Sequence, residues 1–334
     1  MTPNGRTPAR ILIIKPSSLG DIVHALPTVS AIREAFPAAC IEWIMNTEFV
    51  PLLEGTPVVN RLIPFPRTRL RGLRSIEGIG WFAALRRLQP DLAIDLQGLL
   101  RSALMGRCSR PQELVGMSDA REGARLLFQR VVSVDPAAHA VDRMLDVLPA
   151  LGFARPGIPL FPLPETPWAR PIDELESAVI LHPFSRGAGK SLPRDVRDAI
   201  IRAASPRPVL IVGRTLEPVE DDLPDNAVNL ANRTTLPELV WLMRRAAAVV
   251  SVDSGPAHIA AAVARRLLAI HTWSDPRRVG PYGPAAQVWK GGQIACTTGL
   301  HAAALQESRA PTIADVPAIA EWIEQEPGSP DPDR

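Results

Sequence analysis

The feature that most constrains this chain lies near its start, in Arg10-Ile11-Leu12-Ile13-Ile14, where four aliphatic residues follow one another without a polar break. A strand with one wet face alternates apolar and polar residues. An unbroken run is a strand covered on both faces, the habit of parallel sheets flanked by helices. Lys15-Pro16-Ser17-Ser18-Leu19-Gly20-Asp21 follows as a loop of turn formers. Over 22–36, Ile22, Leu26, Val29, Ile32 and Phe36 recur at helical spacing and stop before Pro37. Strand, small-residue loop, helix is the opening of a parallel α/β unit.

The rest of the chain continues in the same manner. Strands are predicted at 41–45 and 92–96, with a short one at 114–116. Helices are predicted at 99–107 and at 140–151, the latter closed by Gly152 as a C-cap. Residues 155–171 then carry Pro156, Pro159, Pro162, Pro164, Pro167 and Pro171, a composition that forbids a helix or a central strand and stiffens the chain. Beyond it the pattern restarts. Strands are expected at 178–181, 208–212, 247–252 and 267–270, and helices from Pro193, at 236–246, at 258–264 and at 316–324. The expected organisation is therefore a disordered 1–9, a Rossmann-like domain at 10–154, a linker at 155–171, a second Rossmann-like domain at 172–325 and a disordered tail at 326–334. Such a pair places a cleft between the domains, where the carboxyl ends of parallel strands gather ligands.

Composition excludes some alternatives. The chain has 334 residues, enough for two domains, and a formal net charge of only +2. Cys40, Cys108 and Cys296 are odd in number and lack CxxC spacing, which argues against a disulfide framework or a structural zinc site. Residues 1–10 have no signal-peptide core, and no later run approaches the ~18 apolar residues of a membrane span. A soluble protein is expected, one that meets any lipid substrate at the membrane surface.

Four clusters can carry chemistry. Gly20 lets the backbone of the first loop approach a ligand, and Asp21 stands at a helix start, as a general base toward a hydroxyl or simply as a cap. His182-Pro-Phe-Ser-Arg-Gly-Ala-Gly-Lys190 joins small residues to a hydroxyl and two cations before a helix. It reads as an anion cradle with Ser185, Arg186 and Lys190 or as a surface turn. In Val252-Asp253-Ser254-Gly255-Pro256-Ala257-His258 the amides of Ser254 and Gly255 can hold a diphosphate, while Asp253 suits sugar hydroxyls and His258 is either ligand or scaffold. Arg61, Arg67, Arg69, Arg71 and Arg74 form a basic stretch that fits an anionic acceptor, an anionic membrane surface or solvent. Poor aromatic interleaving ranks nucleic acid low.

Taken together these blocks resemble the heptosyltransferases of glycosyltransferase family 9, type I in particular. The likeness rests on Lys15-x-Ser-Ser-Leu-Gly-Asp21-x-x-His24-x-Leu-Pro27, Asp95-x-Gln97-Gly-Leu-x-x-Ser102 and Val252-Asp253-Ser-Gly-x-x-His258. It also rests on Ser274-Asp275-Pro276-x-x-x-Gly280-x-Tyr282-Gly283, with Arg121-Glu122 and His139-Ala-Val-x-Arg143 beside them. The resemblance implies a GT-B fold, two Rossmann-like domains whose parallel sheets face a central cleft. It implies inverting transfer of L-glycero-D-manno-heptose from ADP-heptose to a Kdo residue of the lipopolysaccharide inner core. Asp21 is then the catalytic base. Ser185, Arg186, Lys190, Glu217, Asp253, Ser254, Gly255 and His258 would bind the donor, and Ser17, Ser18, Gly20, Arg69, Arg71, Gln97, Arg121 and Arg143 the acceptor.

No cofactor or metal is required on this reading. The implied partners are the nucleotide sugar and an anionic Kdo-lipid A, met by a monomer in the cytoplasm at the face of the inner membrane. A longer donor loop, Phe184 in place of a hydroxyl residue and Arg214 depart from the type I pattern. A type II heptosyltransferase, a nucleotide-sugar epimerase on the same fold and a non-catalytic glycolipid binder are the competing readings.

Overall fold

A computed structural model of the chain describes residues 7–67, 76–187, 189–216, 219 and 222–325. The chain divides into two compact units, Met1–Pro164 and Glu165–Arg334, each built on its own sheet.

Among the described residues the first unit carries six strands: β1 (Arg10–Ile14), β2 (Cys40–Asn46), β3 (Arg61–Phe65), β4 (Leu92–Asp95), β5 (Glu113–Met117) and β6 (Arg130–Val132). They run parallel in the order β3-β2-β1-β4-β5-β6. β1 is central, and Ile11, Leu12, Ile13 and Ile14 are each 0% exposed, as an unbroken aliphatic run demands. The chain leaves β1 for β2 on one side and enters β4 on the other. A switch point therefore opens between β1 and β4, where two successive loops diverge and leave a crevice.

Two differences from the sequence reading have clear causes. Part of the arginine-rich stretch is a strand: β3 pairs with β2 from Glu42↔Arg61 to Asn46↔Phe65. As an edge strand it tolerates Pro64, which a central strand would not. Arg61 and Arg10 both pair with the buried carboxylate of Glu42, so Arg61 holds the sheet rather than lining a solvated loop. The helix expected at 140–151 is two pieces, Ala140–Leu145 and Val147–Ala150. Pro149 has no N–H to give to the carbonyl of Leu145 and crowds it, which interrupts the ladder. Gly152 ends the second piece at φ +89°. Its N–H bonds Pro149 O at 3.0 Å, and Phe153 N–H bonds Leu148 O at 3.0 Å.

Among the described residues the second unit has seven strands: β7 (Val179–His182), β8 (Val209–Ile211), β9 (Ala227–Asn229), β10 (Ala248–Val252), β11 (Leu267–Ile270), β12 (Ala286–Lys290) and β13 (Gln293–Ala295). Their order is β13-β12-β11-β10-β7-β8-β9, and only the β12–β13 edge pair is antiparallel. β12 and β13 follow Gly280-Pro-Tyr-Gly-Pro and hold polar Gln287, Lys290 and Gln293, so the sequence reading left them unassigned. One side of the sheet is covered by the helices Arg194–Ala203 and Val316–Glu324, whose Val196, Ile200, Ile319 and Trp322 join Leu181, Ile211 and Val250 in one core. The switch point here lies between β7 and β10, with β8 on one side and β11 on the other.

Candidate active site

In the first unit, the loop after β1 and the loop after β4 meet at the switch point. The helix Leu19–Ala35 begins three residues earlier than its apolar periodicity indicated, because Ser18 is its N-cap and Asp21 its third residue. Asp21 Oδ2 accepts hydrogen bonds from Ser18 N–H at 2.8 Å and Ser18 Oγ at 2.7 Å. Its Oδ1 lies 3.8 Å from Lys15 Nζ. The Asp21 side chain is still 41% exposed, so a substrate hydroxyl can reach it, whereas Lys15 beneath it is 7% exposed. Asp21 thus caps the helix and presents an accessible carboxylate.

The β4 loop is organised by Asp95, which is fully buried. Its Oδ1 accepts from Gln97 N–H at 2.8 Å and Gly98 N–H at 3.0 Å, and its Oδ2 from Ser102 Oγ at 2.8 Å. Gln97 is thereby aimed at the β1 loop, where its Oε1 accepts from Ser17 N–H at 3.1 Å. A pocket of about 70 Å³ opens beside this contact, lined among others by Ser17, Asn46, Arg67, Gln97, Arg101 and Ser102. Asn46 is 3% exposed and its Oδ1 has no hydrogen-bond partner among the described residues. A buried amide beside two guanidinium groups is suited to a polar, anionic ligand.

Burial pushes the Asp95 carboxyl up to about 6, against the opposing pull of Gly98, Ser102 and Gln97 bonds and the Lys15 charge. A folded-state value above the ordinary 3.8 stabilises the fold fully below that value and ceases to do so as pH rises through about 6. The difference amounts to about 3 kcal/mol. Asp95→Asn keeps the cage, since an amide oxygen can accept from Gln97 and Gly98 and its NH₂ can donate to Ser102 Oγ. Urea unfolding at pH 4 and pH 7 should show wild type losing about 2 kcal/mol relative to the variant, most of the full difference; parallel profiles would refute the assignment.

The other acceptor candidates are placed as follows. Gly20 is buried in the first turn of the helix Leu19–Ala35. Arg121 is exposed and joins the β4 loop through its own N–H to Gly98 O at 2.8 Å. Arg143 is half-buried and pairs with Asp119, so its charge is already engaged. Arg69 and Arg71, with the remainder of 68–75, lie outside the described residues. Arg67 belongs to the basic stretch expected to meet an anionic acceptor, whereas Asn46 and Arg101 had no marked spacing in the sequence and only the fold brings them beside it.

In the second unit, the loops after β7, β10 and β11 converge. Lys190, from the β7 loop, donates to Asp253 Oδ2 at 3.0 Å. Ser274 Oγ donates to the same oxygen at 2.7 Å, and His271 Nδ1 lies 2.8 Å from Ser274 Oγ. Burial disfavours the Asp253 carboxylate, but neighbouring His271, the Ser274 hydroxyl and Lys190 outweigh it and hold the carboxyl below its ordinary value. Asp253 Oδ2 thus holds both Lys190 and Ser274, contacts that its sequence position did not reveal.

Ser254 caps the helix Gly255–Val263, whose first turn carries Gly255 and the buried His258. Ser185 N–H bonds Ser191 Oγ at 2.9 Å, which curls the β7 loop, and Arg186 is exposed. Glu217 lies outside the described residues. A helix N-terminus, a loop and an ammonium gathered at one switch point form an anion-binding surface.

His182, at the end of β7, had no assigned role in the sequence beyond opening its motif. Its Nδ1 faces Ser251 Oγ at 3.1 Å and Ser254 Oγ at 3.3 Å, and both hydroxyls donate to Val252 O. Burial pulls its imidazole down to about 4, so it is neutral at physiological pH and donates from Nδ1. Gly213, at φ +114°, makes room for this ring: an added Cβ would lie 2.4 Å from His182 Cδ2. Gly213→Ala is expected to destabilise the protein by about 1–3 kcal/mol, readable as a lowered midpoint in urea; an unchanged midpoint would refute the close packing.

Two Rossmann-like units, one presenting a carboxylate and the other an anion-binding surface at a strand switch point, define a sugar-nucleotide transferase of the GT-B class. The profile of glycosyltransferase family 9 (heptosyltransferase) matches residues 81–308. Lipopolysaccharide heptosyltransferase 1 of Pseudomonas aeruginosa is 30% identical over 319 residues, covering 87% of this chain and 86% of its own. The solved structure of E. coli heptosyltransferase WaaC with ADP matches with a TM-score of 0.74 at 25% identity, covering 94% of this chain and 99% of that one. The same enzyme with ADP-2-deoxy-2-fluoro heptose gives 0.72 at 25% identity, over 94% and 99%. The chain belongs to glycosyltransferase family 9, the heptosyltransferase family, and is an enzyme.

Proposed function

We propose that this enzyme transfers L-glycero-D-manno-heptose from ADP-heptose to a Kdo residue of the lipopolysaccharide inner core, with inversion. The observation that carries the reading is the accessible Asp21 carboxylate at the end of β1, in a chain 30% identical to a lipopolysaccharide heptosyltransferase 1. The acceptor oxygen attacks the anomeric carbon as the bond from that carbon to the diphosphate oxygen breaks. The hydroxyl proton passes to Asp21, and the departing diphosphate takes its charge toward Lys190 and the amides before the helix Gly255–Val263. A single displacement inverts the centre. Lys190 and the amides supply the cationic stabilisation a metal would otherwise give, so the proposed reaction needs neither metal nor cofactor.

The pocket by Arg67 and Arg101 supports an acidic acceptor sugar. Among the described residues no helix is long and apolar enough to cross a membrane. We place the enzyme in the cytoplasm as a monomer that meets its lipid acceptor peripherally at the inner membrane. The test incubates enzyme and ADP-heptose with Kdo-lipid acceptors that carry or lack a first heptose, with and without chelator. Product on the heptose-free acceptor alone, undiminished by chelator, is expected. Product only on the heptosylated acceptor would make it type II, and a changed sugar with donor alone would make it an epimerase.

A further inference from the structure

One hydrogen-bond chain in the second unit has a defined direction. Ser274 has a single hydroxyl proton, and the Asp253 carboxylate 2.7 Å away can only accept it. The Ser274 oxygen must then accept from His271 Nδ1, 2.8 Å away. The imidazole is fixed in its Nδ1–H form, with Nε2 buried and without a hydrogen-bond partner among the described residues. His271 is 1% exposed at the end of β11, so solvent cannot substitute for it.

We infer that His271 is a positioning residue for the donor diphosphate: it aims the Ser274 hydroxyl, which locks Asp253, which in turn fixes the Lys190 ammonium. The inference rests on the reading of Lys190 as a diphosphate-binding cation. Lys190 needs such a lock because its four-carbon stem carries a freely rotating charge from a loop. The chain His271→Ser274→Asp253←Lys190 ties the loops after β11, β10 and β7 into one rigid surface. Only one member of this chain, Lys190, offers its charge outward; its side chain is 29% exposed against 12% for Asp253.

The groups facing this cluster keep His271 neutral. Burial lowers its imidazole to about 4; Asp253 opposes this, while His258, Lys290 and Lys190 reinforce it. Lys290 is itself tied to Thr272 O at 2.6 Å; burial lowers its ammonium against the opposing pull of Asp275, Asp253 and Glu307. His271 takes up a proton only below about pH 4, and the Asp253 carboxyl is held below its ordinary value, so the lock works throughout the neutral range.

The experiment measures ADP binding by calorimetry, donor KM and kcat for wild type, Lys190→Met, His271→Phe and His271→Asn. An Asn side chain places an N–H close to the position of Nδ1. Lys190→Met should weaken ADP; if it does not, the donor-site reading itself fails. Given that it does, His271→Phe should weaken ADP and raise donor KM about five- to tenfold with kcat nearly kept. His271→Asn should recover most of that loss. His271→Phe in the Lys190→Met background should add little, because both act through one contact.

Wild-type-like binding by His271→Phe, or no recovery by His271→Asn, would overturn the positioning role. So would ¹⁵N spectra of the wild-type enzyme showing the Nε2–H tautomer for His271. If His271→Phe does not fold, Ser274→Ala takes its place in the same comparison.

Discussion

Asp21→Asn lowers heptosyl transfer by about 10²–10⁴-fold while ADP binding and thermal stability stay close to wild type. The expectation separates two duties that one carboxylate performs. As a cap, Asp21 accepts from Ser18 N–H and Oγ, and an Asn amide oxygen can accept the same bonds. Its stability cost is therefore less than the about 1 kcal/mol typical of a lost cap. As a base, Asp21 must take a proton, and an amide cannot. The converse variant, Ser18→Ala, removes the hydroxyl bond to Asp21 and leaves the carboxylate in place. It should lower the melting midpoint slightly and cost far less turnover than Asp21→Asn, any loss appearing mainly in the acceptor KM. Single-turnover transfer with saturating donor, beside ADP calorimetry, decides the matter. An Asp21→Asn enzyme with normal turnover would reduce Asp21 to a cap.

Lys190→Met is expected to cut kcat/KM for the donor by about 10²–10³-fold. Two losses combine in that figure. The ammonium that meets the departing diphosphate is gone, and Asp253 keeps a largely buried carboxylate with only Ser274 donating to it. The second loss turns an organised surface into one that repels phosphate. Lys190→Arg should recover little, because a planar guanidinium cannot occupy the place of a compact ammonium beside Asp253 Oδ2. ADP calorimetry reads the ground-state part, and the remainder of the kcat/KM loss is the part felt in the transition state. Near-normal donor kinetics would remove Lys190 from the site.

Much of the site was legible because it sits where the pattern changes. Asp21, Lys190 and Asp253 each follow an aliphatic run and precede or open a helix, and in parallel sheets such turns face ligands. Asp95, Gln97 and Ser102 were legible only as parts of one motif; that the buried Asp95 holds the other two was decided by the fold. His271 follows β11 in Ile270-His271-Thr272-Trp273, and a single histidine there carries no periodic signal. Its meaning depends on Ser274, three residues on, and Asp253, one strand away. Arg61 shows the opposite failure. Its charge attracted a ligand-binding interpretation, and the fold adds a structural duty as the partner of buried Glu42.

What the sequence determined by itself was the order of elements and the class of fold. Local patterns of apolar spacing, proline and glycine act through neighbours in the chain, so they can be read in one dimension. The partnership of Lys190 with Asp253, of Gln97 with Ser17 and of His182 with Gly213 was decided by tertiary structure alone. Strand order sets which loops become neighbours, and that order follows from how sheets and helices bury their faces over long separations, which no local spacing records.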